Sequence, residues 1–231
     1  DNAIAVQQRL EEALLRVTGE HIVVTGASRT DAGVHALGQC AHFDTESRIP
    51  ADKFPFALNA YLPTDIRVLN GREVSDCFHA RFQTDGKLYT YRIHNARHAS
   101  ALYRSLTAHV PVALDVEAMR RALRDVLGTH DFAAFQASGG TARTTVRTIY
   151  GAEIEQRGEE LTLRIRGNAF LYNMVRIIAG TLMEIGKGKL GEDCFQRAIE
   201  TGDRLALGIT APACGLELTT VYYQPFNPMP R

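Results

Sequence analysis

The segment Thr25–His35 holds the residues whose types and spacing best suit chemistry. Arg29 and Asp31 flank Thr30 in a polar loop, where Gly33 gives the backbone freedom to bend. A carboxylate beside a guanidinium stays ionised, which suits a nucleophile or a general base better than a proton donor. One interpretation of the segment is therefore an acidic catalytic loop, but the residues alone favour an aspartate that only stabilises a turn.

A second interpretation of this segment is a dinucleotide-binding loop. Thr25–Arg29 spells Thr-Gly-Ala-Ser-Arg after an apolar stretch, which resembles the opening of a short-chain dehydrogenase. A pyrophosphate loop needs further glycines, because the backbone must approach the phosphate closely, and Thr30 and Ala32 occupy those places. The residues that follow also predict a strand, whereas the fingerprint requires a helix. The sequence therefore disfavours a nucleotide cofactor.

A third interpretation is a metal site. Cys40, His42 and Asp44 alternate along a predicted strand and so point to one face, with His35 nearby. The same alternation occurs on any half-buried strand, so the pattern is weak. The four cysteines of the chain lie far apart and form no C-x-x-C, which disfavours a zinc ribbon or a disulfide framework. We therefore predict no metal.

The amino-acid composition of the chain is that of an ordinary globular protein. The chain has 231 residues, 45% of them apolar, with 26 Lys plus Arg balanced by 26 Asp plus Glu. No apolar run approaches the ~18 residues of a membrane helix, and the first residues do not resemble a signal segment. These features exclude disordered and coiled-coil classes and predict a soluble, cytoplasmic protein that has no membrane partner.

Although the net charge is zero, positive charges are concentrated in two stretches of the chain. All charged side chains between Gly86 and Leu114, and between Phe132 and Ala152, are positive. Two such stretches on a neutral protein predict a basic cleft for nucleic acid. The residues concerned are Lys87, Arg92, Arg97, Arg104, Arg143 and Arg147.

Apolar periodicity and turn residues predict the elements that position these side chains. The first half begins with a predicted helix between the N-cap Asn2 and Gly19, whose apolar face carries Val6, Leu10, Leu14 and Val17. Two strands follow, at His21–Thr25 and Gln39–Thr45, and then a helix between Pro50 and Pro63. Further strands are predicted at Ile66–Leu69 and Lys87–Ile93. In the second half these are a helix from Asp115 to Gly128, strands at Thr145–Glu155 and Leu161–Arg166, an apolar helix capped by Asn168, a polar helix at Glu192–Glu200 and a strand at Leu216–Tyr223.

This order of elements predicts an α+β fold. Helices segregate from mostly antiparallel strands twice over, which indicates two related halves, residues 1–105 with the catalytic loop and residues 106–231. No low-complexity linker separates the halves. We therefore expect them to form one continuous, largely antiparallel sheet with helices on one face.

Five motifs resemble those of the TruA-type tRNA pseudouridine synthases. Ser28–Ala36 is similar to the catalytic motif of that family. Later segments match in the same order, namely Phe78–Phe82, Lys87–Ile93, Gly128–Phe132 with Phe135, and Asn168–Phe170 leading to Met174–Arg176. The similarity runs from about Asn2 to Tyr223, and it implies the pseudouridine synthase fold with ferredoxin-like halves.

The resemblance also implies an activity. Such enzymes isomerise uridine to pseudouridine in the anticodon stem-loop of tRNA, at tRNA positions 38–40, without metal, nucleotide or redox cofactor. The partner implied is tRNA, and the assembly implied is a cytoplasmic homodimer. The family usually has a strand and an aromatic, glycine-containing loop before its first helix, whereas Asp1 already lies almost at that helix. We therefore expect that strand to be missing from the first half.

Residue roles follow from the matched positions. Asp31 takes the place of the catalytic aspartate, and attack at C1′, addition at C6 and removal of the C2′ proton all remain open for it. Arg176 matches an arginine that pairs with this aspartate, as a charge in so apolar a helix requires. Arg29 would assist in displacing the flipped base, since chemistry on a stacked nucleotide requires extruding it.

The substrate-binding residues implied by the resemblance are Tyr89, His79 and Arg81. The Tyr89 ring would stack on the uracil, with its hydroxyl near the C5 proton that must leave. His79 and Arg81 would extend the basic surface that binds the RNA backbone.

Overall fold

A computed structural model describes residues 4–223, so the predicted N-cap Asn2 lies outside the described residues. The helices are α1 (Val6–Thr18), α2 (Phe54–Asn59), α3 (Val116–Leu123), α4 (Met174–Gly186) and α5 (Cys194–Thr201). The strands are β1 (Thr25–Gly26), β2 (His35–Ala36), β3 (Ala41–His42), β4 (Thr84–His94), β5 (Ala108–His109), β6 (Gly128–Asp131), β7 (Val146–Arg157), β8 (Glu160–Gly167) and β9 (Leu216–Tyr223).

The chain folds as two compact units. The first unit comprises Asp1–Arg29 and Cys40–Gln83, and the second comprises Thr30–Gln39 and Thr84–Arg231. The predicted division into related halves at residue 105 stays a prediction.

The first unit has a core of its own beneath α1 and α2. As predicted, α1 ends where Gly19 adopts the left-handed conformation, with a φ of 79°. The predicted helix after Pro50 is present as α2, preceded by one 3₁₀ turn. The buried apolar residues of this unit are Ala13, Leu14, Ile22, Val24, Phe54, Leu58 and Leu62.

The predicted strand-loop-strand unit forms, but its strands are short. β1 and β3 pair antiparallel over two residues each, with Thr25 opposite His42. Side chains bind the flanking backbone in place of a strand partner, since Glu11 accepts from the Val24 N–H at 3.0 Å and Glu20 accepts from the Glu46 N–H at 3.2 Å. The ladder therefore stops early.

The predicted strand at Ile66–Leu69 is wrong. Val68 donates its N–H to the Asn59 side-chain oxygen, and its carbonyl accepts from the same side-chain amide, both at 2.8 Å. Because one asparagine satisfies both backbone groups, no strand partner is needed there.

The second unit is built on a seven-stranded sheet in the order β2-β9-β4-β8-β7-β6, with β5 paired to β4. Among the strands of residues 4–223, only the β2–β9 and β4–β5 pairs are parallel. The α+β class and the largely antiparallel sheet are therefore confirmed. Within the described part of the chain, β1 and β3 pair only with each other, so the strands form two sheets and not the single continuous sheet expected.

Helices pack on one face of this sheet. Along β8, Leu161, Leu163 and Ile165 are buried and alternate with polar residues. They share one core with α4, in which Ile177 and Ile178 are fully buried. The most apolar predicted helix is thus the central one, as its composition indicates.

Two predicted helix boundaries are wrong. The apolar helix begins at Met174, because the Asn168 side chain is already bound to the backbone N–H groups of Thr148 and Ala169. α3 ends at Leu123, and Gly128, with a φ of 98°, begins β6. The N-cap of α3 is confirmed, since Asp115 accepts from the Ala118 N–H at 2.9 Å.

No helix among residues 4–223 is long and apolar enough to cross a membrane.

Candidate active site

Asp31 lies in a tight turn that leads directly into the sheet of the second unit. Its carbonyl accepts from the Val34 N–H at 3.0 Å, and Gly33 takes a φ of 81° that other residues rarely adopt. The next residues form β2, which pairs with Glu217 and Leu218 of β9. His35 and Ala36, which follow the predicted loop, are therefore strand, and this strand fixes Asp31 to the sheet edge.

Arg176 on α4 meets Asp31 across 145 positions of sequence. Its Nη1 donates to Asp31 Oδ2 at 2.9 Å, in a pair that leaves 31% of the Asp31 side chain and 17% of the Arg176 side chain exposed. The carboxylate is thus charge-paired and still open to a substrate. An ionised carboxylate in such a place can act as a nucleophile or a base.

The segment after α5 supports Arg176 from the other side. Ala211 exchanges two hydrogen bonds with Arg176, accepting from its Nε at 2.8 Å and donating its own N–H to the Arg176 carbonyl at 3.0 Å. This close approach depends on Gly180 of α4, since a Cβ there would lie 1.8 Å from the carbonyl oxygen of Ile209. The glycine lets the backbone approach closely enough to hold the guanidinium.

Tyr91 anchors the same segment. It is fully buried, and its hydroxyl donates to the Pro212 carbonyl at 2.8 Å. Burial raises the pKa of the Tyr91 hydroxyl, while the charge of Arg176 acts in the opposite direction. Tyr91 therefore stays protonated and keeps donating.

Tyr89 lies on the same face of β4 as Tyr91. It is opposite Leu218 of β9, which is itself opposite Ala36 of β2, so β9 alone separates Tyr89 from the strand that carries the Asp31 loop. Its ring is buried and meets Phe170 edge to face, with centroids 5.1 Å apart. Contact of Tyr89 with a uracil stays a prediction.

The remaining predicted site residues belong to the first unit. Arg29 is exposed. His79 Nδ1 accepts from the Arg81 N–H at 3.2 Å, and both side chains lie against the Phe82 ring, whose centroid is 4.2 Å from the imidazole centroid and 5.8 Å from the guanidinium carbon. Arg81 is exposed, as an RNA-binding cation must be. The roles of all three stay predictions.

The competing interpretations of the segment find no support. The loop leads into the strand β2, whereas a dinucleotide fingerprint opens a helix. His42 Nδ1 accepts from the Ala80 N–H at 3.2 Å. Throughout residues 4–223, no group of three or more His, Cys, Asp or Glu side chains could hold a metal ion.

Sequence reasoning misses two residues that support Arg176. Asn173 accepts from Arg176 Nη1 at 2.8 Å, and Tyr91 holds the segment that binds Arg176 Nε. Tyr91 looks like an ordinary cross-strand aromatic in the sequence. The available signal for Asn173 is its position three residues before Arg176, at the start of a helix.

Comparison with known proteins gives the family. A fold of this mixed kind, with a mostly antiparallel sheet, is that of the pseudouridine synthases. The family described as tRNA pseudouridine synthase matches residues 1–83 and 122–224.

The tRNA pseudouridine synthase A of Ruminiclostridium cellulolyticum is 50% identical over 96% of this chain and 91% of its own length, and that of Acetivibrio thermocellus is 51% identical with the same coverage. That of Bacillus pumilus is 44% identical over 94% of this chain and 89% of its own length. The chain therefore belongs to the tRNA pseudouridine synthase family.

Proposed function

We propose that this chain isomerises uridine to pseudouridine in the anticodon stem-loop of tRNA, at tRNA positions 38–40. The observation that carries the proposal is the Asp31–Arg176 pair, in which a carboxylate on a loop is held at 2.9 Å by an arginine from the central helix and remains partly exposed. The chain belongs to the tRNA pseudouridine synthase family, and an ionised carboxylate suits the chemistry of that family.

The reaction breaks the N1–C1′ bond, turns the uracil and forms a bond between C5 and C1′. The C5 proton leaves to solvent and N1 gains a proton, so the overall change is an isomerisation. Asp31 acts on the sugar or on the base, and attack at C1′, addition at C6 and removal of the C2′ proton each use an ionised carboxylate. Arg176 pairs with that carboxylate and orients it.

The other side chains bind the substrate in this proposal. Tyr89 stacks on the uracil, and its hydroxyl serves the departing C5 proton. Arg29 helps to displace the flipped base from its stack. His79 and Arg81 contact the RNA backbone, and the exposure of Arg81 beside an aromatic ring supports this role.

A homodimer and a cytoplasmic location belong to the same proposal. Both rest on the family resemblance and on tRNA as the partner. Light scattering, compared with the chain mass of 25.5 kDa, tests the dimer.

The test is release of tritium from unmodified tRNA that carries uridine labelled at C5. We expect release by the wild-type protein and none by Asp31→Asn, because an amide cannot act as the nucleophile or base. Asp52→Asn is the matched control, since Asp52 is exposed and pairs only with its neighbour Lys53 among the described ion pairs. Mapping the product along the tRNA tests positions 38–40.

Two results would contradict this proposal. Release by Asp31→Asn at the wild-type rate would remove Asp31 from the chemistry. No release from any form, with tRNA still bound, would show an RNA-binding protein without this catalysis.

A further inference from the structure

Asn173 has the most unusual backbone of the site. It is the one non-glycine residue with a positive φ among residues 4–223, at φ 60° and ψ 8°. A residue at the start of a helix normally has extended backbone and caps an N–H group with its side chain. The Asn173 side chain makes no such cap.

The Asn173 side chain is bound to Arg176 instead. Its Oδ1 accepts from Arg176 Nη1 at 2.8 Å, and the same nitrogen donates to Asp31 Oδ2 at 2.9 Å. A guanidinium Nη carries two hydrogens in one plane. With one hydrogen on Asn173 and Nε on the Ala211 carbonyl, the plane is fixed and the second Nη1 hydrogen points at Asp31.

We propose that Asn173 is a positioning residue for the isomerisation proposed above, and that its amide orients Arg176 toward Asp31. The left-handed backbone serves this purpose, because it turns the chain into α4 three residues before Arg176 and carries the amide to the guanidinium. Backbone strain of this kind persists at functional sites where the surrounding structure holds it. The inference depends on the proposed function.

A purely structural role makes a different prediction. Asparagine, aspartate and glycine all tolerate the left-handed region, so any of them would serve if only the backbone mattered. Asn173→Gly removes the acceptor and keeps the backbone. Asn173→Asp keeps an acceptor and adds a negative charge beside Asp31.

The experiment measures tritium release by both variants across pH. For Asn173→Gly we expect kcat to fall about tenfold with KM for tRNA unchanged, because an oriented hydrogen bond to a charged group is lost. For Asn173→Asp we expect the acid limb of kcat to move to higher pH, because a second carboxylate favours protonation of Asp31. Tyr91 and Cys214 are the titratable side chains that interact with each other beside Arg176, and burial raises the pKa of Tyr91 so that it stays neutral.

Gly202→Asn is the matched control. Gly202 has nearly the same backbone, at φ 70° and ψ 8°, and a Cβ there would meet nothing within 4 Å. Gly202→Asn replaces a glycine by an asparagine at a left-handed position away from the site, so kcat should be unchanged. Thermal unfolding of all three variants checks that each one folds.

The outcomes separate the inference from the proposed function. Wild-type kcat and pH profile in both Asn173 variants would overturn the inference and leave the proposed function intact. Absence of release by the wild-type protein would overturn the proposed function. In that case NMR of ¹⁵N-labelled arginine tests whether Asn173 orients Arg176. We expect the Arg176 Nη signals to broaden in Asn173→Gly, and unchanged signals would overturn the inference.

Discussion

The guanidinium of Arg176 donates hydrogen bonds to three acceptors, and their number determines how much stability the protein should lose without it. Arg176→Ala leaves Asp31, Asn173 and the Ala211 carbonyl without their donor. Breaking a fully buried ion pair costs ~3–5 kcal/mol, but Asp31 is 31% exposed and water can reach it. We expect unfolding in denaturant to show a loss of about 2 kcal/mol, together with loss of tritium release.

Arg121→Ala is the control for this loss. Like Arg176, Arg121 binds a carboxylate: its Nε and Nη2 each donate to Glu192 at 2.7 Å, but both side chains are about half exposed. Solvent screens an exposed pair, so Arg121→Ala should lower the free energy of unfolding by much less than Arg176→Ala. Equal losses in the two variants would show that the surroundings of Arg176 add nothing.

The site residues differ in how far the sequence predicts them. Asp31 and Arg176 are found through the family resemblance of their motifs, and an arginine in so apolar a helix also calls for a carboxylate partner. Asn173 and Tyr91 do not stand out, because their value depends on a left-handed backbone and on a carbonyl at Pro212, which only the folded chain brings near. Residues that act through another residue are the hardest to find in this way.

At the scale of elements, the C-terminal end of α4 has a carboxylate whose charge stabilises the fold. Glu184 is 15% exposed, and hydrogen bonding from Lys187, at 2.9 Å, lowers its pKa below the usual 4.5. A lowered pKa means stability that is present above the unfolded value and lost as pH falls through the folded value. Glu184→Gln should therefore lower the free energy of unfolding by about 1 kcal/mol at pH 7, with the difference vanishing toward pH 3.

Unfolding of Glu184→Gln and the wild-type protein at several pH values checks this expectation. Glu200→Gln on α5 is the control, since Glu200 is exposed and accepts from the neutral Gln196 side chain. A Glu184→Gln deficit that is the same at pH 3 and pH 7 would mean that the loss does not arise from the charge.

Elements with strong periodicity are predicted well, and those decided by side-chain contacts are not. α1, α4 and β8 follow from apolar spacing, because burial of one face decides them. The short β1 and β3 do not follow, since Glu11 and Glu20 bind the backbone that a longer ladder would use. Asn59 has the same effect on the predicted strand at Ile66–Leu69.

At the scale of the whole molecule, the sequence predicts the α+β class and misses how the strands join. The class follows from counting elements. The parallel pairing of His35–Ala36 with Glu217–Leu218 does not, because a two-residue strand carries no pattern and its partner lies some 180 positions away. This pairing nevertheless places Asp31, so a contact that the sequence does not reveal holds the proposed catalytic residue.

Net charge, also a property of the whole molecule, leads to the last prediction. With 26 positive and 26 negative residues, the protein has no overall attraction to RNA, so binding of tRNA must come from local cations. If Arg81 contacts a phosphate, Arg81→Ala should weaken the binding of all tRNAs to the same extent. It should also reduce the slope of log affinity against log salt concentration by about one. Arg197→Ala is the control, because Arg197 is exposed on α5 and paired with Asp193. An unchanged slope in Arg81→Ala would remove this residue from the RNA surface without touching the chemistry at Asp31.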